Sequence, residues 1–376
     1  MRSLTVLLVL AWGTLADAAD VVSIWGGARG TIVLKSDGTV WTWGANFAGK
    51  LGVGLDAVSL VRTNVPIEVH GPGNVSYLNS ITNIMGGEVH SIAVKSDGTV
   101  WGWGQNEFGQ LGDGTTNDES APVQVGLGCV PPLGSVTKLG GRTYWNLAVK
   151  TDGTVWAWGM NQGGQLGNGT TISTLDPNQN TTPVQLTNSR AGGVINNPIQ
   201  VSCGYTYGVA LATNGTVWTW GTGSHGELGN GTTNALTVAN PVSAPILVDK
   251  FGAGFSNIVM TAARDYHNLA VKADGSVWMW GANDQGQCGD GTTNDDWQPT
   301  PVVGLGARVG RILNWQPGGD NLTLKWDTAT GEYFAIEYTT NLAAGFTSVI
   351  QSNLLSTPPA NTVTLTNGPG YYRLKF

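Results

Sequence analysis

The side chains best suited to acid–base or metal chemistry are four histidines, of which His90 and His267 stand at equivalent places. Each begins a short apolar stretch, residues 91–94 and 268–271. An imidazole can change its charge near neutral pH or bind a metal ion. The other repeat units, described below, have different residues at this place: Gly30, Trp145 and Tyr207. A repeated catalytic histidine is thereby excluded. We interpret both histidines as packed structural residues, with a pH switch or a metal ligand as the alternative.

Two Asp-containing segments and three cysteines are the other candidate metal ligands. Residues 113–117 and 290–294 both have the sequence Asp-Gly-Thr-Thr-Asn, whose oxygens could bind calcium. They lack the ligand spacing of a calcium loop, and their residue types are those that turns prefer. Cys129, Cys203 and Cys288 lack the close, paired spacing of a zinc site or a disulfide framework. We predict turns, mostly buried cysteines with at most one bridge, and no metal site.

The sequence also lacks an arrangement of residues for catalysis. No Ser-His-Asp order, catalytic carboxylate pair or phosphate-binding glycine motif stands out, although 56 of the 376 residues are glycine. We therefore predict that the protein is not an enzyme and has no catalytic residue, no cofactor and no metal.

A nine-residue motif organises most of the chain. The stretch of residues 96–104, Ser-Asp-Gly-Thr-Val-Trp-Gly-Trp-Gly, occurs five times, with its Asp or Asn at positions 37, 97, 152, 214 and 274. A fixed period of this length indicates a repeat architecture. Asp-Gly between apolar runs predicts a β-hairpin. With a two-residue loop, Val94 lies opposite Trp101 and Ile92 opposite Trp103. Each hairpin then has one bulky face with both tryptophans and one slim face.

Each unit adds two further strands to its hairpin. An apolar strand that ends in small residues precedes the hairpin, and a Gly-x4-Gly-x-Leu-Gly-x-Gly segment, a polar loop and a Pro-Val strand follow it. Four short strands per unit form the blade of a β-propeller. The sequence predicts an all-β fold, with a β-propeller of about five four-stranded blades over residues 19–308.

The repeated pattern resembles the regulator of chromosome condensation repeat. The histidine position, the apolar strand, Asp-Gly-x-Val-x-x-Trp-Gly-x-Asn and Gly-Gln-Leu-Gly carry the resemblance over roughly residues 21–308. The family commonly closes seven blades, whereas this chain has five units. The resemblance implies a ligand-binding or inhibitor-like module. Guanine nucleotide exchange, the activity of the family's nuclear founder, is one alternative. An enzyme with an unrecognised site in the propeller mouth and a purely structural envelope role are the others.

Residues 309–376 do not contain the motif. They contain strand-like stretches at 322–326, 333–342, 362–365 and 371–376. Trp326 followed by Tyr-x-Ile-Glu-Tyr resembles a fibronectin type III sandwich, although the chain stops where a final strand is expected. We predict a small C-terminal β-sandwich-like domain, with an adhesion, sorting or spacer role.

The N-terminus and the charge point to export. Arg2, an apolar run over residues 4–12 and the small-x-small site at residues 16–18 are typical of a secretory signal peptide over residues 1–18. A buried N-terminal strand is the alternative. No later run reaches the ~18 apolar residues of a membrane span. The net charge is −7 without a basic patch, which disfavours nucleic acid as a partner. We therefore predict a secreted or cell-envelope protein. This location counts against nucleotide exchange as its activity.

The candidate binding residues lie in the loop after each Trp-Gly. Glycines five residues apart hold the loop ends while the interior varies, as in recognition loops on a rigid scaffold. The candidates are Asn46, Phe47, Asn106, Glu107, Phe108, Asn161, Gln162, Ser224, His225, Asn283 and Asp284. Alternatively, these are simply turn residues. We predict a non-enzymatic binding or scaffold protein for a protein or glycan partner. Changing Phe47 and Phe108 to alanine is expected to weaken binding with little effect on melting.

Ring closure is the last expectation. The first unit begins with the strand before its hairpin, and the fifth ends with Pro301-Val302-Val303. We expect residues 300–303 to pair beside residues 21–25, which would hide two exposed sheet edges and close a monomeric ring of five blades. An open arc of five blades is the alternative.

Overall fold

The computed structural model describes residues 19–304, except 28, 57, 128, 130–132, 172–179, 187–194, 196, 233–241 and 249–254. Beyond residue 304 it describes the backbone of the strands between residues 311 and 375. Residues 1–18, with the expected signal peptide, lie outside the described residues.

The described chain forms five consecutive four-stranded antiparallel sheets, each built from one repeat unit, and we call these sheets blades one to five. Blade one contains β1 (Val21–Gly27), β2 (Gly30–Lys35), β3 (Val40–Ala45) and β4 (Arg62–Glu68), and blade two contains β5 (Ile81–Gly86), β6 (His90–Lys95), β7 (Val100–Gly104) and β8 (Glu119–Gln124). Blade three contains β9 (Val136–Gly141), β10 (Trp145–Lys150), β11 (Val155–Gly159) and β12 (Asn180–Gln185). Blade four contains β13 (Pro198–Cys203), β14 (Tyr207–Ala212), β15 (Val217–Gly221) and β16 (Val242–Leu247). Blade five contains β17 (Ile258–Arg264), β18 (His267–Lys272), β19 (Val277–Gly281) and β20 (Asp296–Pro301). The predicted all-β propeller of four-stranded blades is confirmed.

The central hairpin of each blade has a longer loop than expected. In blade two the Lys95 N–H donates to the Thr99 carbonyl, and the Gly98 N–H donates to the Lys95 carbonyl, both at 2.9 Å. Gly98 has a φ of 81°. This is a three-residue loop, a type I turn followed by a left-handed glycine. Asp97 Oδ1 holds it by accepting hydrogen bonds from the Thr99 N–H at 2.9 Å and the Thr99 hydroxyl at 2.6 Å.

The extra loop residue shifts the strand pairing by one position. Ala93, not Val94, lies opposite Trp101, and Ile92 lies opposite Gly102. The predicted register was therefore wrong, and so was the division of side chains between faces. Both tryptophans share a face with the small residue Ala93, while the aliphatic residues of the first hairpin strand point the other way, because side chains alternate along a strand.

Consecutive blades stack through these two unlike faces. We call the tryptophan face, which meets the preceding blade, the front, and the aliphatic face, which meets the following blade, the rear. Four buried clusters fill the four contacts. Between blades one and two, for example, Ile32 and Leu34 pack on Ala93 and Trp103. His90 shares the rear face with Ile92, rather than the expected tryptophan face.

The expected pairing of the chain ends is absent. β1 pairs with β2, and Pro301 of β20 pairs with Trp278 of β19. The expectation was wrong because each blade takes its Pro-Val strand from its own unit, so that blade one already has four strands. The first strands of neighbouring blades contact one another from β1 to β17, but within the described part of the chain no comparable contact joins β17 to β1.

The C-terminal part forms two three-stranded sheets. The first has the order β21 (Arg311–Gly318), β22 (Asn321–Asp327), β25 (Asn361–Leu365), and the second has the order β24 (Ser348–Leu355), β23 (Tyr333–Thr339), β26 (Tyr371–Lys375). All four predicted strand regions are present, whereas β21 and β24 were not anticipated. The likeness to a fibronectin sandwich stays a prediction. Among the described residues no helix is long and apolar enough to cross a membrane.

Candidate binding face

Two loops of every blade meet at one end of the propeller, which we call the loop face; the other end, with the Asp-Gly turns, is the turn face. The inner loop joins the first and second strands, and the glycine loop follows the third strand. In all five blades a backbone N–H at the start of the glycine loop donates to an inner-loop carbonyl at 2.8–3.0 Å. The pairs are Ala45 to Arg29, Gln105 to Val89, Met160 to Tyr144, Thr222 to Thr206, and Ala282 to Tyr266.

The glycine that precedes the donor residue allows the glycine loop to approach the inner loop this closely. Gly104 has a φ of 105°, and a Cβ there would lie 2.7 Å from the Val89 carbonyl oxygen. Such a conformation and such a contact are open to glycine alone. Each blade has a glycine with a φ of 100–109° at this position. The two loops are therefore held at a fixed distance, and the loop face has a rigid frame.

The asparagines proposed for binding serve this frame instead. Asn106 is buried; its Oδ1 accepts a hydrogen bond from the Leu111 N–H at 2.9 Å, and its amide donates to the Thr115 carbonyl at 3.1 Å. The equivalent asparagines of blades one, three and five are buried with matching bonds: Asn46, Asn161 and Asn283. Their side chains hold the glycine loop closed and are not exposed on the loop face.

The remaining predicted residues do reach the surface of the loop face. Phe47, Glu107 and Asp284 are exposed, while Phe108, Gln162, Ser224 and His225 are half-buried. Phe108 packs on Tyr144, with ring centroids 4.8 Å apart, and on the cluster between blades three and four. We therefore expect a Phe108 substitution to lower stability as well, unlike one at Phe47. Binding by these loops stays a prediction.

A row of tyrosines in the inner loops completes the face, and none of these tyrosines is among the residues predicted from the sequence. Tyr205 of blade four lies 5.7 Å from Tyr266 of blade five, and Tyr266 lies 5.6 Å from His225, between ring centroids. Tyr144 of blade three adjoins Tyr205; burial, together with this neighbour, raises the pKa of the Tyr144 hydroxyl. Tyr144 and Tyr266 both stand one residue before the position of the family histidine. This shared place in the repeat was the signal that could have identified them.

Charged residues surround a shallow cavity at the centre of the loop face. The cavity has a volume of about 150 Å³, and its lining includes Trp25, Glu88, Arg142 and Arg264. Arg142 from blade three makes ion pairs with Glu88 of blade two, at 3.0 Å, and with Asp265 of blade five. These pairs connect three inner loops. The centre of the face is thereby fixed by opposite charges that neutralise one another.

Two further ionisable groups are buried at equivalent positions of the glycine loops. Lys50 donates to the Glu88 carbonyl at 2.7 Å, and burial lowers the pKa of its ammonium group to about 8. Glu227 is buried in the equivalent position of blade four, and burial raises the pKa of its carboxyl group. Glu227 accepts a hydrogen bond from the His225 N–H at 2.7 Å, and His225 Nδ1 lies 2.8 Å from Asp295. These contacts order the loops of blades four and five.

The residues considered for metal or redox chemistry have structural contacts. Asp113 and Asp290 accept hydrogen bonds from Thr115 and Thr292 two residues later, as turn residues do. Cys203 and Cys288 are buried, and burial raises the pKa of the Cys288 thiol to about 12. Among the residues that the structure describes, no group of three or more His, Cys, Asp or Glu side chains could hold a metal ion.

His90 lies fully buried between blades two and three. Its Nε2 is 2.7 Å from Asn146 Oδ1, and burial lowers the pKa of the imidazole from its usual 6.5 to about 4. Above pH 6.5 the ring is neutral in both the folded and the unfolded chain. Below that pH the unfolded chain binds a proton that the folded chain excludes until about pH 4. The free energy of unfolding therefore decreases as the pH is lowered from 6.5 to 4.

We therefore predict that acid destabilises the protein partly through His90. The contribution is about 3 kcal/mol between pH 6.5 and 4, since one pKa unit corresponds to about 1.4 kcal/mol. Urea unfolding of the wild type and of His90→Gln at neutral and acidic pH measures it. The variant should lose less stability on acidification. Equal losses in the two proteins would contradict a buried neutral ring.

Comparison with known proteins agrees with the repeat pattern. The model of the regulator of chromosome condensation (RCC1) repeat matches residues 37–94, 97–136, 152–211, 214–271 and 274–315. A second model of the same description matches residues 81–110 and 199–227.

Two similar proteins are longer than this chain. The E3 ubiquitin-protein ligase HERC2 of Homo sapiens is 33% identical over 310 residues, which are 82% of this chain and 6% of that protein. The ultraviolet-B receptor UVR8 of Arabidopsis thaliana is 29% identical over 290 residues, 76% of this chain and 59% of the receptor. The match therefore concerns only a part of each relative.

Solved structures show the same fold. Human WBSCR16 matches with a TM-score of 0.61 and 23% identity, over 76% of this chain and 68% of the other. Yeast RCC1 (Prp20), in a complex with Kap60, matches with a TM-score of 0.59 and 19% identity, over 81% and 67% of the two chains.

Proposed function

Because this chain belongs to the regulator of chromosome condensation repeat family, we propose that it is a secreted or cell-envelope binding protein without enzymatic activity. Its propeller recognises a partner through the loop face, and the partner is a protein or a glycan. The signal-like residues 1–18 support export. The observation that carries the proposal is the row formed by Tyr144, Tyr205, Tyr266 and His225 on a rigid loop frame.

The composition of this face favours a protein partner over a glycan. Tyrosine and arginine are enriched where protein interfaces derive most of their binding energy, and Tyr266 is exposed beside Arg264, which is also exposed. Glu107 and Asp284 add negative charge at the rim. One structural relative, yeast RCC1, was solved with the protein Kap60 bound.

The rigidity of the frame supports binding in a second way. The backbone bonds between inner and glycine loops, and the ion pairs of Arg142, fix the positions of the loops before a partner arrives. A preorganised surface loses less conformational entropy on binding than a flexible one. The same ion pairs occupy Glu88 and Asp265, so these carboxylates serve structure and not acid–base chemistry.

Removing two neighbouring tyrosines is the test of this proposal. The probes are a panel of extracellular proteins and a glycan array, applied to the full chain and to the double variant Tyr205→Ala/Tyr266→Ala. We expect the variant to bind the wild-type partner at least about tenfold more weakly, since each such residue contributes about 1 kcal/mol or more.

Tyr77→Ala is the matched control. Tyr77 is exposed in the connection over residues 69–80, which joins the turn ends of β4 and β5, far from the inner loops. The control should bind like the wild type. Undiminished binding by the folded double variant would overturn the proposal for this face, and binding to glycans alone would exclude the protein partner.

A further inference from the structure

Every contact between two blades uses one tryptophan and one glycine loop. The indole N–H of the second motif tryptophan donates to a backbone carbonyl of the preceding blade, at 2.7–3.0 Å. The pairs are Trp103 with Lys50, Trp158 with Gln110, Trp220 with Gln165, and Trp280 with Glu227. All four tryptophans are fully buried. We call the tryptophan the plug, and the carbonyl with its loop the socket.

A glycine in each socket makes room for the plug. A Cβ on Gly52 would lie 2.6 Å from the Trp103 ring nitrogen, and a Cβ on Gly112 would lie 2.8 Å from the Trp158 ring. Gly229 has the same relation to Trp280, at 2.9 Å. A side chain at this position therefore excludes the tryptophan. The socket is defined by a carbonyl acceptor and by a glycine two residues later.

Blade one presents a plug without a socket. Its tryptophan, Trp43, is only half-buried, and no other blade precedes its front face in the described chain. Val21 is 62% exposed, whereas its counterpart Ile81 in blade two is 4% exposed. Ile24 is 64% exposed, whereas its counterpart Ile84 is 1% exposed. The front of blade one thus exposes side chains that the other blades bury against a neighbour.

Blade five presents a socket without a plug. Within 4 Å of a Cβ on Gly289, only Val302 is present in the described structure, and no tryptophan. Gln287, whose carbonyl corresponds to the four acceptors, is half-buried. The rear-face residues Leu269, Val271 and Val277 are also half-buried, although their counterparts in blade two are buried: Ile92, Val94 and Val100.

We propose that the front of blade one packs on the rear of blade five of a second copy of this chain. One chain carries both halves of a contact that it already makes four times within itself, and a second copy therefore supplies the missing half at either end. The contact joins two different surfaces, so it is heterologous, and it produces a closed ring or a growing head-to-tail chain of molecules. One side chain differs from the internal contacts: Val33 stands where the fronts of the other blades have alanine.

The apolar character of the two faces supports this occupant. Val21, Val22 and Ile24 are exposed next to one another on β1, and an exposed apolar patch of this kind marks a surface that another protein covers. A like-with-like contact between two fronts would leave each Trp43 indole N–H without a carbonyl. The head-to-tail contact satisfies both the indole N–H and the Gln287 carbonyl.

Two variants that block opposite faces test the proposal. Ile24→Asp places a charge on the exposed front of blade one. Gly289→Asn fills the socket of blade five, and asparagine tolerates the φ of 62° at this position. Val75→Asp makes the same kind of change at an exposed residue between blades one and two, away from both faces. The mass of each full-length protein is measured by sedimentation over a range of concentrations.

We expect the wild type and Val75→Asp to grow in mass with concentration, and each blocked variant to remain a monomer with wild-type circular dichroism. An equimolar mixture of the two blocked variants should form a one-to-one dimer and nothing larger, because each supplies the face that the other lacks. The proposal is overturned if the wild type is monomeric up to about 100 μM, a hundred times a micromolar dissociation constant. It is also overturned if the mixture stays monomeric.

Discussion

Trp220→Ala is expected to lower the free energy of unfolding by about 4 kcal/mol, within the range of about 3–5 kcal/mol for the loss of a buried large aromatic side chain. Trp220 is fully buried in the cluster between blades three and four. Its indole N–H donates to the Gln165 carbonyl at 2.7 Å. The substitution leaves a cavity against Gly208 and an unsatisfied Gln165 carbonyl. The loss of hydrophobic burial, the loss of packing and the loss of the hydrogen bond all destabilise the folded state.

Trp43→Ala is the matched control for this variant. It removes the same side chain from the same motif position, but Trp43 is half-buried and has no preceding blade to pack on. We expect a loss below about 2 kcal/mol at a dilution where the chain is monomeric. Urea unfolding followed by circular dichroism measures both variants. Equal losses for Trp43 and Trp220 would contradict the account of blade stacking given above.

The repeated motif allowed the number of blades and their strands to be predicted. It did so because hairpin chemistry and side-chain alternation are local and recur five times. The register was missed because Asp-Gly serves two loop types, and the one present closes with Gly98 as a third loop residue. Choosing between the loops depends on how Asp97 bonds to Thr99, a matter of geometry rather than residue type.

The binding face was predicted only in part for a related reason. Loop position and residue variability identify the exposed tips, such as Phe47 and Asp284, but not which polar side chains turn inward. Asn106 closes its loop through the Leu111 N–H and the Thr115 carbonyl, five and nine residues away. The tyrosine row depends on blades that lie side by side, as Tyr205 and Tyr266 do, 61 residues apart in sequence.

The pairing of the chain ends failed as a prediction because it rested on where one repeat was taken to begin. Each blade is complete within its own unit, from β1 to β4 in blade one. Closure is therefore not a question of a missing strand, but of which surface covers Ile24 and Trp43 at one end and Gly289 at the other. The plug and socket that stack the blades therefore also determine what associates with the front of blade one and the rear of blade five.

Gly104→Ala is expected to destabilise blade two by about 3 kcal/mol or more. An L-residue at a φ of 105° carries a strain of about 1–3 kcal/mol. The new Cβ would also lie 2.7 Å from the Val89 oxygen and 2.8 Å from the His90 Cα, which are both backbone atoms and cannot move aside. The inner and glycine loops must separate, and the bond from the Gln105 N–H to Val89 is lost.

Gly114→Ala, in the same blade, distinguishes the strain of a positive φ from the close contact between the two loops. Gly114 has a φ of 92°, but nothing lies within 4 Å of a Cβ there in the described structure. This variant carries the backbone strain alone, and we expect a loss of about 1–2 kcal/mol. Urea unfolding gives the stabilities, and amide hydrogen exchange of Gln105 reports the loop contact, which Gly104→Ala should weaken and Gly114→Ala should leave protected. If both variants lose the same stability and keep that protection, φ strain explains the glycine, and the tight joining of the two loops does not shape the binding face.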